Sequence, residues 1–224
     1  SVSWARDVYK RQANYPVDND RKGNRTVVPG DIMYKDQNND GVINYLDERP
    51  IGYRVDSTPT LNFGINLSAS WKGFDLAMDW TGSGMTSWNQ CYETARPFQN
   101  DGNSPDEVLK DAWHLSDIWD ANSPLIPGKY PMVRLNTDET SAYDKSSYWL
   151  HNVTYLKLRN LEVGYTFPKT WLNRTGISNL RLFVSGTNLL TLSNLSVMDP
   201  ECASDNGLDY PPMRVINIGV NLKF

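Results

Sequence analysis

The chain has 224 residues, 39% of them hydrophobic and 21% charged, with a formal net charge of -4 and a mean hydropathy of -0.55. No basic stripe accompanies that charge, which argues against a nucleic-acid partner, and no run of about 18 apolar residues exists, which excludes a membrane-spanning helix. A transmembrane β-barrel is not excluded, because its lipid face is hidden in alternating residues and leaves the average low. The 8 Trp and 12 Tyr exceed what a small core needs and point to membrane girdles, a binding surface, or both.

Residues 1–12, SVSWARDVYKRQ, neither alternate nor connect sensibly to the residues after them. They resemble translated linker sequence and are read as a non-native leader, ahead of a real strand or helix start, which leaves 13–224 as one domain. No signal peptide opens the sequence although an outer-membrane protein needs export, so the peptide is expected to have been removed or the N-terminal part to be missing. A short strand is expected from Gly30 to Lys35. The next stretch, Asp36 to Asp47, fits a calcium loop, with oxygen ligands from Asp36, Asn38, Asp40, Asn44 and Asp47, the backbone carbonyl of Val42, and Gly41 at the sharp turn. A hard cation needs such converging oxygens, and their number favours Ca²⁺ over Mg²⁺ in a structural role. The alternative is an Asn/Asp-rich turn closed by side-chain to backbone hydrogen bonds.

From Thr60 to Trp71 the odd positions Leu61, Phe63, Ile65, Leu67, Ala69 and Trp71 are apolar, while the even positions are small and polar. After Lys72-Gly73 the alternation resumes with Phe74, Leu76, Met78 and Trp80, so the two segments predict a hairpin with a tight turn. The long stretch from Thr81 to Asn152 contains Ser104-Pro105-Asp106-Glu107, a capping box with Pro at the first helical position. Around this short helix signal lie Trp88, Tyr92, Trp113, Trp119, Tyr130, Tyr148 and Trp149, mixed with Asn, Asp and Arg. Flat rings beside amides and carboxylates suit sugar faces and hydroxyls, and Trp88, Tyr92, Trp113, Trp119, Tyr130 and Trp149 are the candidates for contact with a ligand or partner. Packing of the loop on itself is the competing use, and the stronger one for any single residue.

Between Val153 and Phe167, Leu156 and Leu158 alternate in one phase and Leu161, Val163, Tyr165 and Phe167 in the other, which predicts a β-bulge near Arg159-Asn160. Leu180, Leu182 and Val184 open another strand ending near Leu190. In the last residues Ile216, Ile218, Val220, Leu222 and Phe224 share one face, and Asn217, Gly219, Asn221 and Lys223 the other. A two-faced strand ending on a terminal Phe is how the closing strand of an outer-membrane barrel reads. With that end at the periplasm, long and short connections alternate as a bacterial barrel requires, and Trp71, Phe74, Tyr165, Phe167 and Phe224 fall at one rim.

The ordered blocks PGDIMYKDQNNDGVINYLDE, SYWLHNVTYLKLRNLEVGYTFP, LRLFVSGTNLLTL, MDPE and YPPMRVINIGVNLKF, spanning Pro29 to Phe224, resemble the C-terminal end of the SusC/RagA family of TonB-dependent outer-membrane transporters of Bacteroidota-type bacteria. The resemblance implies an all-β fold: an antiparallel meander forming the C-terminal arc of a transmembrane barrel of about 22 strands, with long extracellular loops and one short loop helix. It implies import of glycans, oligosaccharides or peptides, a SusD-like surface lipoprotein as partner, contact with the TonB complex through an N-terminal region and plug absent from this chain, and a location in the outer membrane. Phe224 would be the assembly signal. About six strands are expected, too few to close even the smallest barrels of about 8 strands.

The alternative is a soluble, β-rich, calcium-dependent glycan-binding module, which would explain the metal loop and the aromatics but not the terminal strand or the alternating loop lengths. An enzyme is not expected, since neither a Ser/His/Asp arrangement nor a paired-carboxylate motif is identifiable and His114 and His151 read as ordinary loop residues. Cys91 and Cys202 both fall on outer loops, where a disulfide and two separate thiols are equally allowed.

Overall fold

The computed structural model describes residues 2–3, 25–28, 30–53, 59–135, 141–173, 176–201, 206–207 and 209–224. Of the expected leader 1–12, residues 1 and 4–12 lie outside these. Nine strands occur among the described residues: β1 (Val2–Ser3), β2 (Met33–Tyr34), β3 (Leu61–Trp71), β4 (Phe74–Asn89), β5 (His114–Leu115), β6 (Leu125–Ile126), β7 (Leu150–Thr166), β8 (Asn179–Ser193) and β9 (Val215–Lys223). Two short helices, α1 (Asp106–Lys110) and α2 (Lys169–Leu172), complete the regular structure with a few 3₁₀ turns. Contacts divide the chain into two compact units. A loop unit is built from described residues within Ser1–Val55, Ser87–His151 and Ser204–Leu208, and a sheet unit from those within Asp56–Thr86, Asn152–Ala203 and Asp209–Phe224.

Five strands form one antiparallel meander in the order β3-β4-β7-β8-β9. The ladder keeps the two faces chemically distinct. In the first hairpin Ile65 pairs with Trp80, Leu67 with Met78 and Trp71 with Phe74, while Asn66 pairs with Asp79 and Ser70 with Asp75. The last pair repeats the division, with Leu182 opposite Val220 and Val184 opposite Ile218 on one side, and Arg181 opposite Asn221 and Ser185 opposite Asn217 on the other. Because side chains alternate with period two, a one-residue slip would move every apolar group to the wrong face, so the pattern itself fixes the register. Leu61, Phe63, Ile65, Leu67, Ile218 and Val220 stay exposed and Leu76 and Met78 half-buried, so the apolar face is not the inside of a sandwich.

The expected bulge is present: the register between β7 and β8 shifts between Leu158 and Asn160. On the facing strand Asn188 takes a φ of 55°, and its amide receives a hydrogen bond from Arg159 and donates to the Met213 carbonyl at 3.2 Å. The turn Lys72-Gly73 is tight, with φ of 47° and 91° at its two residues. Gly73 has no room for a Cβ, which would strike the Thr166 carbonyl.

The polar face is tied across strands. Arg181 on β8 bridges Asp75 on β4 and Glu162 on β7, the latter at 2.7 Å, and its guanidinium also lies 5.1 Å from the ring centre of Phe183. Gly164 sits directly beneath this bridge. At the turn end of the sheet a row of rings runs from Phe74 to Tyr165 (4.6 Å between centres), Phe167 (5.0 Å) and Trp171 (6.0 Å).

Two expectations about the strands are corrected. The segment Gly30–Lys35 supplies only Met33–Tyr34, which pairs with Val2–Ser3 and stands outside the five-stranded sheet. The reason is local: Ile32 is buried in the loop core, and Gly30, at φ 90°, lies against the Trp113 ring where no Cβ fits. The sheet therefore has five strands among the described residues rather than about six. Conversely β4 continues past Trp80 to Asn89, where Met85 and Trp88 stand among Gly and polar residues and show no apolar alternation.

In a full-length barrel carrying this segment, Gly164→Ala should push the Arg181 guanidinium off Asp75. The folded, heat-modifiable band on gels should then be lost at a temperature lower by roughly 2–4 °C, whereas Val163→Ile, on the apolar face of the same strand, should leave it unchanged.

Candidate functional site

Trp149 organises the loop unit. It is 1% exposed, donates its indole N–H to the Ala142 carbonyl at 2.9 Å, and stacks between Tyr143 (5.7 Å) and Tyr130 (6.1 Å), with Tyr148 edge-on at 4.7 Å. Ile32, Ala95, Val108 and Ala112 close the cluster. Burial pushes the Tyr143 phenol up to about 12, so the ring packs as a neutral group at any physiological pH. Asp31, 3% exposed, is paired with Arg134, accepts from the Val28 N–H at 3.0 Å, and so ties the chain before β2 to the segment after Tyr130.

Helix α1 exists, but not with the expected cap. The Leu109 N–H reaches the Pro105 carbonyl at 3.1 Å, which makes Pro105 the flanking residue instead of the first helical one. Proline offers no side-chain acceptor, and no side-chain cap bond forms. The helix is set instead by Val108, whose side chain is fully buried.

Of the six aromatic candidates, Trp88, Trp113, Tyr130 and Trp149 are buried, while Tyr92 is exposed and Trp119 is 90% exposed. Trp119 stands with Ile118 between β5 and β6, on a loop held by its own polar groups. Asp117 accepts from the Trp119 N–H at 2.9 Å, Asp120 from the Asn122 N–H at 2.9 Å, and Ser123 bridges back to the Asp117 backbone. The two histidines, expected in loops, lie in strands. His114 opens β5 and contacts the Ala112 carbonyl at 2.9 Å, and His151, in β7, contacts Gln90 at 3.0 Å and stacks on Trp88 at 5.7 Å. Cys202 lies outside the described residues.

The segment Asp36–Asp47 is closed by its own hydrogen bonds. Asp36 accepts from the N–H groups of Asn39 (2.6 Å) and Gly41 (2.8 Å), Asp40 from Val42 (2.9 Å), and Asp47 from Gln37 (2.8 Å) and Asn44 (2.9 Å). Asn38 is turned toward Asp40, its amide donating at 2.8 Å and its oxygen accepting the Asp40 N–H at 3.0 Å. Asn44 caps the turn Tyr45–Asp47, and Gly41, with φ of 83° and open space around it, is required for its backbone rather than for room. The donor set is all oxygen, as Ca²⁺ demands, and each carboxylate oxygen keeps a second lone pair. Among the described residues, however, no group of three or more His, Cys, Asp or Glu side chains is gathered to hold a metal ion.

The comparisons with known proteins agree with this architecture. No family model matches the chain. It is 30% identical over 210 residues to TonB-dependent receptor P3 of Formosa agariphila, covering 88% of this chain and 19% of that receptor. It is 31% identical over 84 residues to the TonB-dependent receptor SusC of Bacteroides thetaiotaomicron, covering 35% of this chain and 8% of SusC. Among solved structures, the RagAB peptide transporter superposes with a TM-score of 0.57 at 25% identity, over 82% of this chain and 19% of that one. The chain belongs to the SusC/RagA family of TonB-dependent receptors. It spans about a fifth of the length of the curated relatives it matches over most of its own length. Those relatives are receptors and transporters. In SusC/RagA terms the five strands are an arc of a barrel wall, and the loop unit holds its long connection. Sequence reading missed Trp171 in the aromatic row, because its four-residue helix has no period to reveal it, and it missed the polar cross-links, which join residues far apart in the chain.

Backbone N–H groups of Asn44 and then Gln37 hold the Asp47 carboxyl below its ordinary 3.8. A depressed carboxylate stabilises above its unfolded value and ceases to as pH falls through the folded one. Proteolysis of segment 36–47 should therefore be constant from about pH 7 to 5 and accelerate only below about 3.8, the unfolded value. Separately, Arg134→Met should leave the buried Asp31 carboxylate without its cation, at a cost of about 3–5 kcal/mol. Faster cleavage of the loop unit by trypsin-like proteases would register it.

Proposed function

We propose that this segment is the C-terminal arc of an outer-membrane transporter that imports glycans, oligosaccharides or peptides with a SusD-like surface lipoprotein and the TonB complex. The observation that carries the reading is the two-faced meander. One face keeps Leu61, Phe63, Ile65, Leu67, Ile218 and Val220 exposed, while the other buries or pairs its charges. A soluble module gains nothing from that exposure, whereas a barrel wall sets such a face against lipid. With the aromatic row at the periplasmic rim, Lys72-Gly73 and the α2 connection are periplasmic and the loop unit is extracellular. The match to a receptor 30% identical over most of the chain supports this assignment, and the partner follows from the likeness to RagAB and SusC.

Within this reading Asp36, Asn38, Asp40, Asn44, Asp47 and the Val42 carbonyl hold a structural Ca²⁺ that draws the carboxylates together and stiffens the outer loop. Terbium luminescence should saturate on the native protein and be displaced by Ca²⁺. Asp40→Ala should weaken it at least 10-fold and Gln37→Ala should not, while an absent signal would remove the metal. Tyr92 and Trp119, the exposed pair among the aromatic candidates, are the rings available to substrate or lipoprotein.

Phe224 is 83% exposed and continues the apolar face of β9. In the parent transporter it acts as the assembly signal, and one aromatic side chain contributes about 1.5–3 kcal/mol at most, so its loss is kinetic. Deleting Phe224 or changing it to Asp should lower the amount reaching the outer membrane and the uptake that depends on it, while molecules that do assemble keep their heat stability. Normal insertion of the truncated parent would sink the signal, and secretion of a soluble product would sink the barrel.

A further inference from the structure

The segment after β8 does not continue outward from the barrel wall. Asn194 remains beside the start of β7: its side-chain oxygen accepts the Thr154 N–H at 2.9 Å and its amide donates to the Asn152 carbonyl at 2.7 Å. Leu195 is buried immediately after it. A few residues later the chain is level with residues deeper in the same strand. Lys157, 1% exposed, donates to Asp199 at 3.0 Å and to Glu201 at 2.8 Å, and Arg159 pairs with the other oxygen of Glu201. Arg159 also donates to Thr81 on β4 at 3.0 Å and reaches Asn188 at the bulge. The Glu201 N–H closes on Asp199 at 3.0 Å, which makes the acidic end a compact hook.

A strand advances about 3.4 Å per residue, so the backbone of Lys157 lies roughly 17 Å, and that of Arg159 roughly 24 Å, along the wall from the level of Asn152. The segment meets the wall on the polar side, since Lys157 pairs with Thr191 across the ladder while its neighbours Leu156 and Leu158 pair with Leu192 and Leu190 on the apolar side. Two cations meet two anions, so the cluster is charge-balanced, with Lys157 buried and Arg159, Asp199 and Glu201 half-buried. Neutralising Asp199 and Glu201 would leave the buried Lys157 ammonium without a counter-charge, which favours the docked geometry.

We propose that Lys157 and Arg159 are positioning residues that hold Asn194–Glu201 as a strap folded down into the barrel lumen, so that this strap lines the path of the imported solute. The proposal rests on the transporter reading above. Between its anchors the strap presents exposed Ser196 and half-buried Val197 and Met198. These are the groups a passing solute meets, and the charged pairs are spent on holding the strap.

The test uses the full-length transporter in intact cells, with Cys91 and Cys202 changed to Ser and the half-buried Val197→Cys as the reporter. Labelling by a bulky, membrane-impermeant maleimide should be slow with the strap docked. Lys157→Met, and independently the isosteric pair Asp199→Asn with Glu201→Gln, should speed labelling at least 10-fold. Lys157→Arg should restore protection, and the half-saturation concentration for uptake should move in step while the surface amount of the barrel stays constant. Unchanged labelling in the Asn/Gln pair, which needs no new shape in the wall, would overturn the strap. So would a change in labelling that Lys157→Arg fails to reverse. Failure of the transporter reading is separate: it would appear as absence of the protein from the outer membrane, or as strap-dependent labelling with no uptake in any form of the protein.

Discussion

The antiparallel ladder is the constraint on which the rest depends. In a bilayer no water is available to the backbone, so each strand must find its hydrogen bonds in its neighbours and each side chain must take the side that its position dictates. Once Leu67 faces Met78, Asn66 has to face Asp79, and the same arithmetic runs through β7, β8 and β9. The apolar face then needs no internal partner, and the polar face must satisfy its own charges. Arg181 does so by bridging strands β4 and β7, which a lone surface ion pair in water would do with little effect.

The bulge at Arg159 shows how a departure from the ladder is used. An extra residue on β8 puts Asn188 into the left-handed region and turns Arg159 so that it can reach Thr81, Asn188 and Glu201 together. A regular strand would have pointed those groups along fixed alternating directions. The irregularity is therefore a point where wall and returning loop meet, and the returning loop is held there by the pairs of Lys157 and Arg159 with Asp199 and Glu201.

The loop unit follows different physics. It has no long ladder, so its order comes from one packed aromatic cluster around Trp149 and from the Asp31–Arg134 pair. Its polar tips, at Asp36–Asp47 and Asp117–Ser123, are closed by short-range hydrogen bonds from side chains to nearby N–H groups. Such turns form from residues adjacent in the chain and present their remaining groups outward in fixed directions. Trp119, the most exposed of the aromatic candidates, is displayed in this way.

Strand positions, the Lys72-Gly73 turn, the bulge near Arg159-Asn160 and the residues of the exposed apolar face were legible in the amino-acid order, because a period of two and a glycine at a tight turn are local properties. The family was legible too, since its blocks survive in order along the chain. The reach of β4 to Asn89 was not, because Gly82, Ser83, Gly84 and Ser87 carry no apolar signal and are strand only by pairing. The brief strand Met33–Tyr34 was overestimated for the opposite reason: an apolar stretch was claimed by the loop core instead of the sheet. Which aromatics are buried, how Asp31 meets Arg134, and how Lys157 gathers Asp199 and Glu201 depend on contacts between residues distant in sequence. Burial and ion pairing at such separations are fixed by the completed packing, so only the tertiary structure could decide them.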